Sequence, residues 1–341
     1  MKTDVTLKIA GAAGQGIQTI GDLLSDVCHQ SGLFTFSVDD YESRVRGGHN
    51  FNLLRISDKK LTAPGNQLDI LVCINKDDYD LHKEELRSGG IAIINAEEQE
   101  AKDKKCFEIP LKKLAEEAGD KITANTVASG AVLAILGTPL TLLADVLKKR
   151  FAGKGENVVA LNIAAAQKGF DAVKGLRQDI GFTWETKKNN HIVLSGAKAA
   201  ALGALAADCR FFPFYPMSPA TGVIANVTSY MDRLPVVVEQ AEDEIAAVMM
   251  AIGASFAGVR AMTATSGGGF CLMTEGLGLA AMTETPLVIV NAQRPGPATG
   301  LATRTGQADL LFSVHASHDE FPRFIFAPGT LSGTVLVNTS R

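Results

Sequence analysis

The chain has 341 residues, 46% apolar and 21% charged, which is length enough for about two separately cored domains and excludes a disordered or fibrous class. A net charge of −4 carries no basic footprint, so nucleic acid is not an expected partner. Asp4 and Lys8 interrupt any leader-like apolar core, and the longest apolar run, Ile245–Ala257, is short and rich in Ala and Gly, so neither export nor a membrane span is expected and the chain reads as cytoplasmic.

In chain order, Val5–Gly11 reads as a strand and, after a glycine turn, Ala12–Gly32 as a helix. Its apolar positions Ile17, Ile20, Leu23, Leu24 and Val27 recur at helical spacing. Strands are expected at Phe51–Ser57, Leu68–Ile74 and Gly90–Asn95. Helices are expected at Lys112–Ala118, Val127–Leu136, Leu140–Arg150 behind Pro139, and Asn157–Phe170. Gly175–Asn190 is polar and holds the only Trp, Trp184, which makes it the expected linker. A second α/β unit starts near His191, with strands in Val236–Gln240, Val259–Thr265 and Pro286–Ala292 and helices in Glu242–Gly258 and Phe270–Thr283. Apolar strands alternating with helices indicate a parallel sheet covered on both faces.

The five cysteines are scattered, with no C-x-x-C and no iron–sulfur or zinc spacing, so any cluster must lie on another chain. His315 and His318 lack a third ligand on the same element and read as surface or cap histidines; no metal site is expected on this chain.

Several segments can carry chemistry. GAAGQG (Gly11–Gly16) places Gly14 and Gly16 at a strand-to-helix turn, where free N–H groups favour an anion, but a tight turn for close packing explains it equally. Its spacing is neither the dinucleotide fingerprint nor a P-loop. YPMSPAT (Tyr215–Thr221) uses Pro216 and Pro219 to stiffen a loop that aims the Ser218 and Thr221 hydroxyls. Glu242, Asp243 and Glu244 open an apolar-striped helix, where any one of them is also a favourable first-turn acid. TSGGG (Thr265–Gly269) follows a strand, and its glycines imply close approach of a ligand or another chain. RPGPATGLATRT (Arg294–Thr305) is a stiffened loop with two arginines suited to a carboxylate, and Asp309 in QADL is placed to cap the following helix.

In this order, FPFYPMSPAT (Phe212–Thr221), Val236–Ala247, Thr263–Met273 and Asn291–Leu310 resemble the pyrimidine-binding domain of the 2-oxoacid:ferredoxin oxidoreductases, thiamine diphosphate enzymes that decarboxylate 2-oxo acids. GAAGQG with DYESRVRGGHN (Asp40–Asn50) resembles their gamma domain. The fold implied is α/β: a gamma domain (residues 1–175), a linker (176–190), a doubly wound parallel-sheet pyrimidine-binding domain (191–330), and a truncated or non-native tail (331–341). The family's Y-P-I-T-P becomes YPMSP here, so Ser218 keeps the hydroxyl offered to the 2-oxo acid without the stiffening methyl.

The resemblance implies that Glu244, nine residues before Gly253, is the catalytic carboxyl beside N1′ of the aminopyrimidine. Sharing a proton there favours the imino tautomer, whose N4′ removes the thiazolium C2 proton. Ser218, Thr221 and Arg304 hold the substrate. Tyr215, Pro216, Ser266 and Gly267 meet the cofactor, and Gly14, Gly16, Arg44 and Arg46 meet coenzyme A or a neighbouring subunit. No G-D-G…N pattern for a diphosphate-bound Mg²⁺ is present, so a beta subunit is expected to supply that half, the Mg²⁺ and a [4Fe–4S] cluster. The implied activity is coenzyme A-dependent oxidative decarboxylation of 2-oxoglutarate or pyruvate, with electrons passed to ferredoxin. A non-catalytic nucleotide- or coenzyme A-binding scaffold is the alternative, and a flavin or NAD reductase is disfavoured by the missing G-x-G-x-x-G.

Overall fold

The computed structural model describes residues 3–40, 42, 47–100, 105–174, 180–186, 192–294, 296, 304, 306–318 and 320–326. The chain divides into two compact units, Met1–Val193 and Leu194–Arg341. Among the described residues no helix is long and apolar enough to cross a membrane.

The first unit runs β1 (Asp4–Ala13), α1 (Ile17–Gln30), β2 (Phe34–Asp40), β3 (Gly47–Ser57), β4 (Leu68–Cys73), α2 (Asp78–His82), β5 (Leu86–Asn95), β6 (Cys106–Ile109), α3 (Leu111–Ala118), α4 (Ala124–Leu136), α5 (Leu140–Phe151) and α6 (Glu156–Lys174). The strands form one sheet in the order β2-β3-β1-β4-β5-β6. β3 pairs antiparallel with β1 and β2, with Leu7 opposite Leu54, while β1, β4, β5 and β6 are parallel, with Leu7 beside Ile70. Every residue of β4 is buried, which explains its apolar run from Ile70 to Cys73; the buried Asp69 carboxylate accepts the Thr6 N–H at 2.8 Å. Leu7, Ile9, Leu54, Ile56, Ile70, Val72, Ile91 and Ile93 form the main core with residues of α1, α4, α5 and α6. Helices α4 and α6 touch backbone to backbone: a Cβ at Gly130 would lie 2.1 Å from the Ala166 carbonyl oxygen, and one at Gly169 would lie 1.9 Å from that of Val127.

The sheet is therefore mixed, and it contains two strands beyond those expected. Both β2 and β6 are edge strands paired on one side only. β2 leaves Ser37, Val38 and Asp39 exposed and β6 has four residues, so neither carries a buried apolar run to mark it. On the sheet face away from the main core, Lys8 is 4% exposed. Its ammonium donates to Glu85 at 2.6 and 2.8 Å, lies 3.1 Å from His82 Nδ1, and stands 4.2 Å over the Phe51 ring. His82 continues to His49 at 2.7 Å, and His49 to Asp78 at 3.2 Å. Burial holds the His82 imidazole below its ordinary pKa, against the pull of Glu85.

The second unit runs α7 (Gly196–Ala206), β7 (Phe211–Phe214), α8 (Thr221–Thr228), β8 (Val237–Gln240), α9 (Glu244–Phe256), β9 (Met262–Thr265), α10 (Gly267–Leu272), α11 (Thr274–Met282), β10 (Val288–Asn291) and α12 (Leu310–His315). β7 pairs parallel with β8, and β9 with β10. A parallel bridge between Phe211 and Ala261 joins the pairs, so the strands follow the order β8-β7-β9-β10. The chain steps outward from β7 to β8, then returns past β7 to β9. That reversal creates a topological switch point at the carboxyl ends of β7 and β9, where doubly wound sheets bind ligands.

The helix expected at Glu242–Gly258 begins two residues later. Asp243 takes the N-cap, and its carboxylate accepts the Ala246 N–H at 2.7 Å. The single helix expected at Phe270–Thr283 is instead two, meeting at Met273. The break lets Gly269 and Gly276 each close on α9: a Cβ at Gly269 would lie 2.7 Å from Glu244, and one at Gly276 would lie 2.8 Å from Val248.

Candidate functional site

Two of the singled-out segments flank the switch point. β7 ends at Phe214 and runs into Tyr215–Pro219, and β9 ends at Thr265 and runs into Ser266–Gly269. Tyr215 and Ser218 are half-buried, and Pro216 is exposed. Thr221, the first residue of α8, is also exposed.

Glu244 is the first residue of α9 and is 3% exposed. Its Oε1 is buried without a hydrogen-bond partner. The side chain lies against Gly269, where a Cβ would come 2.8 Å from Oε1 and 2.1 Å from Thr265 Oγ1. A glycine at 269 is therefore required for Glu244 to occupy this place. Burial pushes the Glu244 carboxyl above the ordinary carboxylate range; its own backbone N–H and the Arg294 charge pull it back, and the Asp243 charge pushes it further up.

Other buried polar atoms of this unit are unpartnered as well. Ser266, at the N-cap of α10, is fully buried with an unpaired Oγ, and Thr263 Oγ1 on β9 is in the same state. Asn291, at the end of β10, donates to Ser313 Oγ at 3.2 Å but leaves its Oδ1 unpaired. Buried polar groups are nearly always satisfied, so the unpaired Glu244 oxygen beside Thr265 and Gly269 is a candidate contact for a polar ligand. A buried acidic oxygen beside the end of β9, with the Ser266 hydroxyl one residue beyond that strand, suits a flat heteroaromatic ring bearing both donors and acceptors. An aminopyrimidine is such a ring, and the residues present fit it.

Of the two arginines in the Arg294–Thr305 loop, the resemblance pointed to Arg304 and left Arg294 without a role. It is 9% exposed, and its Nη1 donates to the Ser218 carbonyl at 3.0 Å while its Nε has no partner. It thus links the YPMSP loop to the surroundings of Glu244. A signal was present: Arg294 stands three residues beyond β10, at the sheet edge that binds ligands, whereas Arg304 stands ten residues further along the loop. Arg304 is half-buried, but residues 297–303 and 305 around it lie outside the described residues.

Asp309 occupies the N-cap position of α12 but makes no side-chain cap. Its carboxylate instead accepts the Arg294 N–H at 3.2 Å, which corrects the capping expectation.

Gly14 and Gly16 lie in the first unit, in the turn between β1 and α1, with φ of +87° and +73°. A Cβ at Gly16 would lie 2.0 Å from Asn125 Nδ2, whereas Gly14 faces open space. Close packing therefore explains Gly16. Arg44 and Arg46 lie outside the described residues. Among the described residues no three His, Cys, Asp or Glu side chains gather as a metal site, and the five cysteines are free thiols.

Residues 6–172 match the family model described as pyruvate ferredoxin/flavodoxin oxidoreductase. Residues 202–334 match the one described as pyruvate flavodoxin/ferredoxin oxidoreductase, thiamine diphosphate-binding. The 2-oxoacid:ferredoxin oxidoreductase subunit alpha of a Sulfolobus species is 32% identical over 377 aligned positions, covering 94% of this chain and 59% of the relative. A 2-oxoglutarate synthase subunit KorA from Methanothermobacter thermautotrophicus is 46% identical over 138 positions, or 40% of this chain and 37% of the relative. Among solved structures, the Magnetococcus marinus 2-oxoglutarate:ferredoxin oxidoreductase, with 2-oxoglutarate, coenzyme A and succinyl-CoA bound, superposes with a TM-score of 0.87 at 31% identity. That match covers 98% of this chain and 60% of the other. The chain thus spans about three fifths of the length of the Sulfolobus and Magnetococcus marinus relatives.

Proposed function

Because the chain belongs to the 2-oxoacid:ferredoxin oxidoreductase alpha-subunit family, we propose that it takes part in coenzyme A-dependent oxidative decarboxylation of a 2-oxo acid, with electrons passed to ferredoxin. The observation that carries this reading is the buried, unpartnered Oε1 of Glu244 at the switch point of the second unit. When bound, thiamine diphosphate supplies the nucleophilic carbon and the electron sink that loss of carbon dioxide requires.

The roles of this chain's residues follow from their surroundings. Glu244, biased by burial toward its protonated form, holds a proton for the pyrimidine ring nitrogen N1′. Ser266 and Gly267, with Tyr215 and Pro216 across the switch point, line the cofactor. Ser218 and Thr221 offer hydroxyls to the 2-oxo acid. Arg294, half-satisfied by the Ser218 carbonyl, presents the rest of its fork to the substrate carboxylate, with Arg304 as a second cation further along the loop. Gly14, Arg44 and Arg46 are assigned to coenzyme A or to a subunit contact, whereas Gly16 is accounted for by its packing against Asn125. The boundaries proposed are 1–175 for the gamma domain and 191–330 for the pyrimidine-binding domain.

A beta subunit completes the proposed heterodimer and brings the diphosphate half of the site, Mg²⁺ and a [4Fe–4S] cluster, in a cytoplasmic enzyme. 2-Oxoglutarate is the proposed substrate, supported by the ligand of the Magnetococcus marinus enzyme. Glu244→Gln in the complex reconstituted with its beta subunit should abolish 2-oxoglutarate-dependent acyl-CoA formation and leave folding intact. Substantial residual turnover would reject the role given to Glu244.

A further inference from the structure

Building on that reading, we infer that Asp309 is a positioning residue for substrate capture: its buried carboxylate ties Arg294, the neck of the arginine loop and the start of α10 into one unit. Asp309 is 7% exposed. Its Oδ2 accepts the backbone N–H of Arg294 at 3.2 Å across fifteen residues of chain. In the reverse direction, the Asp309 N–H donates to Gln293 Oε1 at 3.2 Å. These two bonds close the neck of the loop that carries Arg304. The bond to Arg294 is charge-assisted, the stronger kind of backbone contact.

The same carboxylate presses on the glycine triplet. A Cβ at Gly267 would lie 2.4 and 2.5 Å from the two Asp309 oxygens. Only a glycine admits Asp309 there, just as only a glycine at 269 admits Glu244. The outer glycines of TSGGG therefore have separate tasks, one holding the substrate side and the other the proton-bearing side. Asp309 acts through its neighbours. With the Arg294 backbone fixed at Asp309 and its guanidinium at the Ser218 carbonyl, the free edge of that guanidinium has one place to lie.

The test uses the complex reconstituted with its beta subunit, with 2-oxoglutarate and coenzyme A varied separately. Asp309→Ala should raise the KM for 2-oxoglutarate roughly tenfold or more, the effect of losing one charge-assisted bond, with the KM for coenzyme A unmoved. Asp309→Asn keeps an oxygen acceptor and should return the 2-oxoglutarate KM to within about threefold of wild type. As a readout other than activity, thermal protection of the complex by saturating 2-oxoglutarate should shrink in Asp309→Ala. Gln293→Ala removes the other bond at the neck, the acceptor of the Asp309 N–H, and should raise the same KM, which keeps the inference open to refutation if Asp309→Ala fails to fold. Wild-type KM for 2-oxoglutarate in the variant that folds, a parallel rise for coenzyme A, or an Asn variant as impaired as the Ala variant would each overturn the inference. A wild-type complex that turns over no 2-oxo acid would overturn the functional reading along with it, so the two failures are distinguishable.

Discussion

Glu244→Gln should make the second unit more stable while removing its chemistry. The native carboxyl is 3% exposed and its Oε1 has no partner, so the folded state holds a desolvated acid. A buried acceptor left unpaired costs about 1–3 kcal/mol, and more when charged. Glutamine keeps the shape that fits against Gly269 and still leaves an unpaired amide, so it recovers only the added cost of the charge, roughly 1–2 kcal/mol. Against this stands the loss of a negative charge in the first turn of α9, worth about 0.3–1 kcal/mol. The net gain is about 1 kcal/mol, or about 2–4 °C in Tm for a unit of this size. The sign depends on pH. Glu244's folded pKa is raised from 4.5, so the folded state binds the proton more tightly and its contribution is fully present below about pH 4.5, then lost as pH rises through the folded value. The advantage of glutamine should therefore appear near neutral pH and vanish below about pH 4.5. Scanning calorimetry of both chains across that range is the assay. An equal or lower Tm for the variant at neutral pH, or a gain that persists unchanged in acid, would refute the reasoning.

Further outcomes follow from named contacts. Gly130→Ala or Gly169→Ala sets a methyl against a backbone carbonyl that cannot step aside, and each should cost about 2–3 kcal/mol by thermal melting; an unchanged Tm would show that α4 and α6 do not meet there. His82 has a folded pKa below 6.5, so its contribution is present above about pH 6.5 and lost as pH falls; the first unit's Tm should drop between about pH 7 and about pH 5.5 and flatten in His82→Gln. Gly269→Ala should lower Tm and weaken retention of thiamine diphosphate by the complex during gel filtration, because it evicts the Glu244 side chain; full retention would refute the tight fit. Arg294→Gln should raise the KM for 2-oxoglutarate more than Arg304→Gln does in steady-state assays; the reverse order would return the carboxylate to Arg304.

The interior strands were readable because burial writes itself into residue type. β4 is buried on both faces and is apolar but for Asp69, whose carboxylate accepts the Thr6 N–H, and the spacing from Glu244 to Gly253 lies within one helix. Edge strands β2 and β6 gain hydrogen bonds from one neighbour only; β2 has no fully buried residue and β6 is only four residues long, so their apolar residues form no long buried run. The break at Met273 depends on two glycines closing on α9, a tertiary fact that local helix propensity does not contain. Which arginine folds inward was hidden for the same reason. Arg294 and Arg304 have the same chemistry in one loop, and the latch that draws Arg294 in lies at Asp309, fifteen residues away.

The central claim is that the Glu244 carboxyl shares a proton with the cofactor's pyrimidine ring and so activates its thiazolium carbon. The direct measurement is hydrogen–deuterium exchange at that C2 position in the assembled complex, followed by acid quench and proton NMR. Glu244→Gln should slow the exchange by at least about a hundredfold at unchanged cofactor occupancy. Exchange at the wild-type rate with the cofactor fully bound would contradict the account.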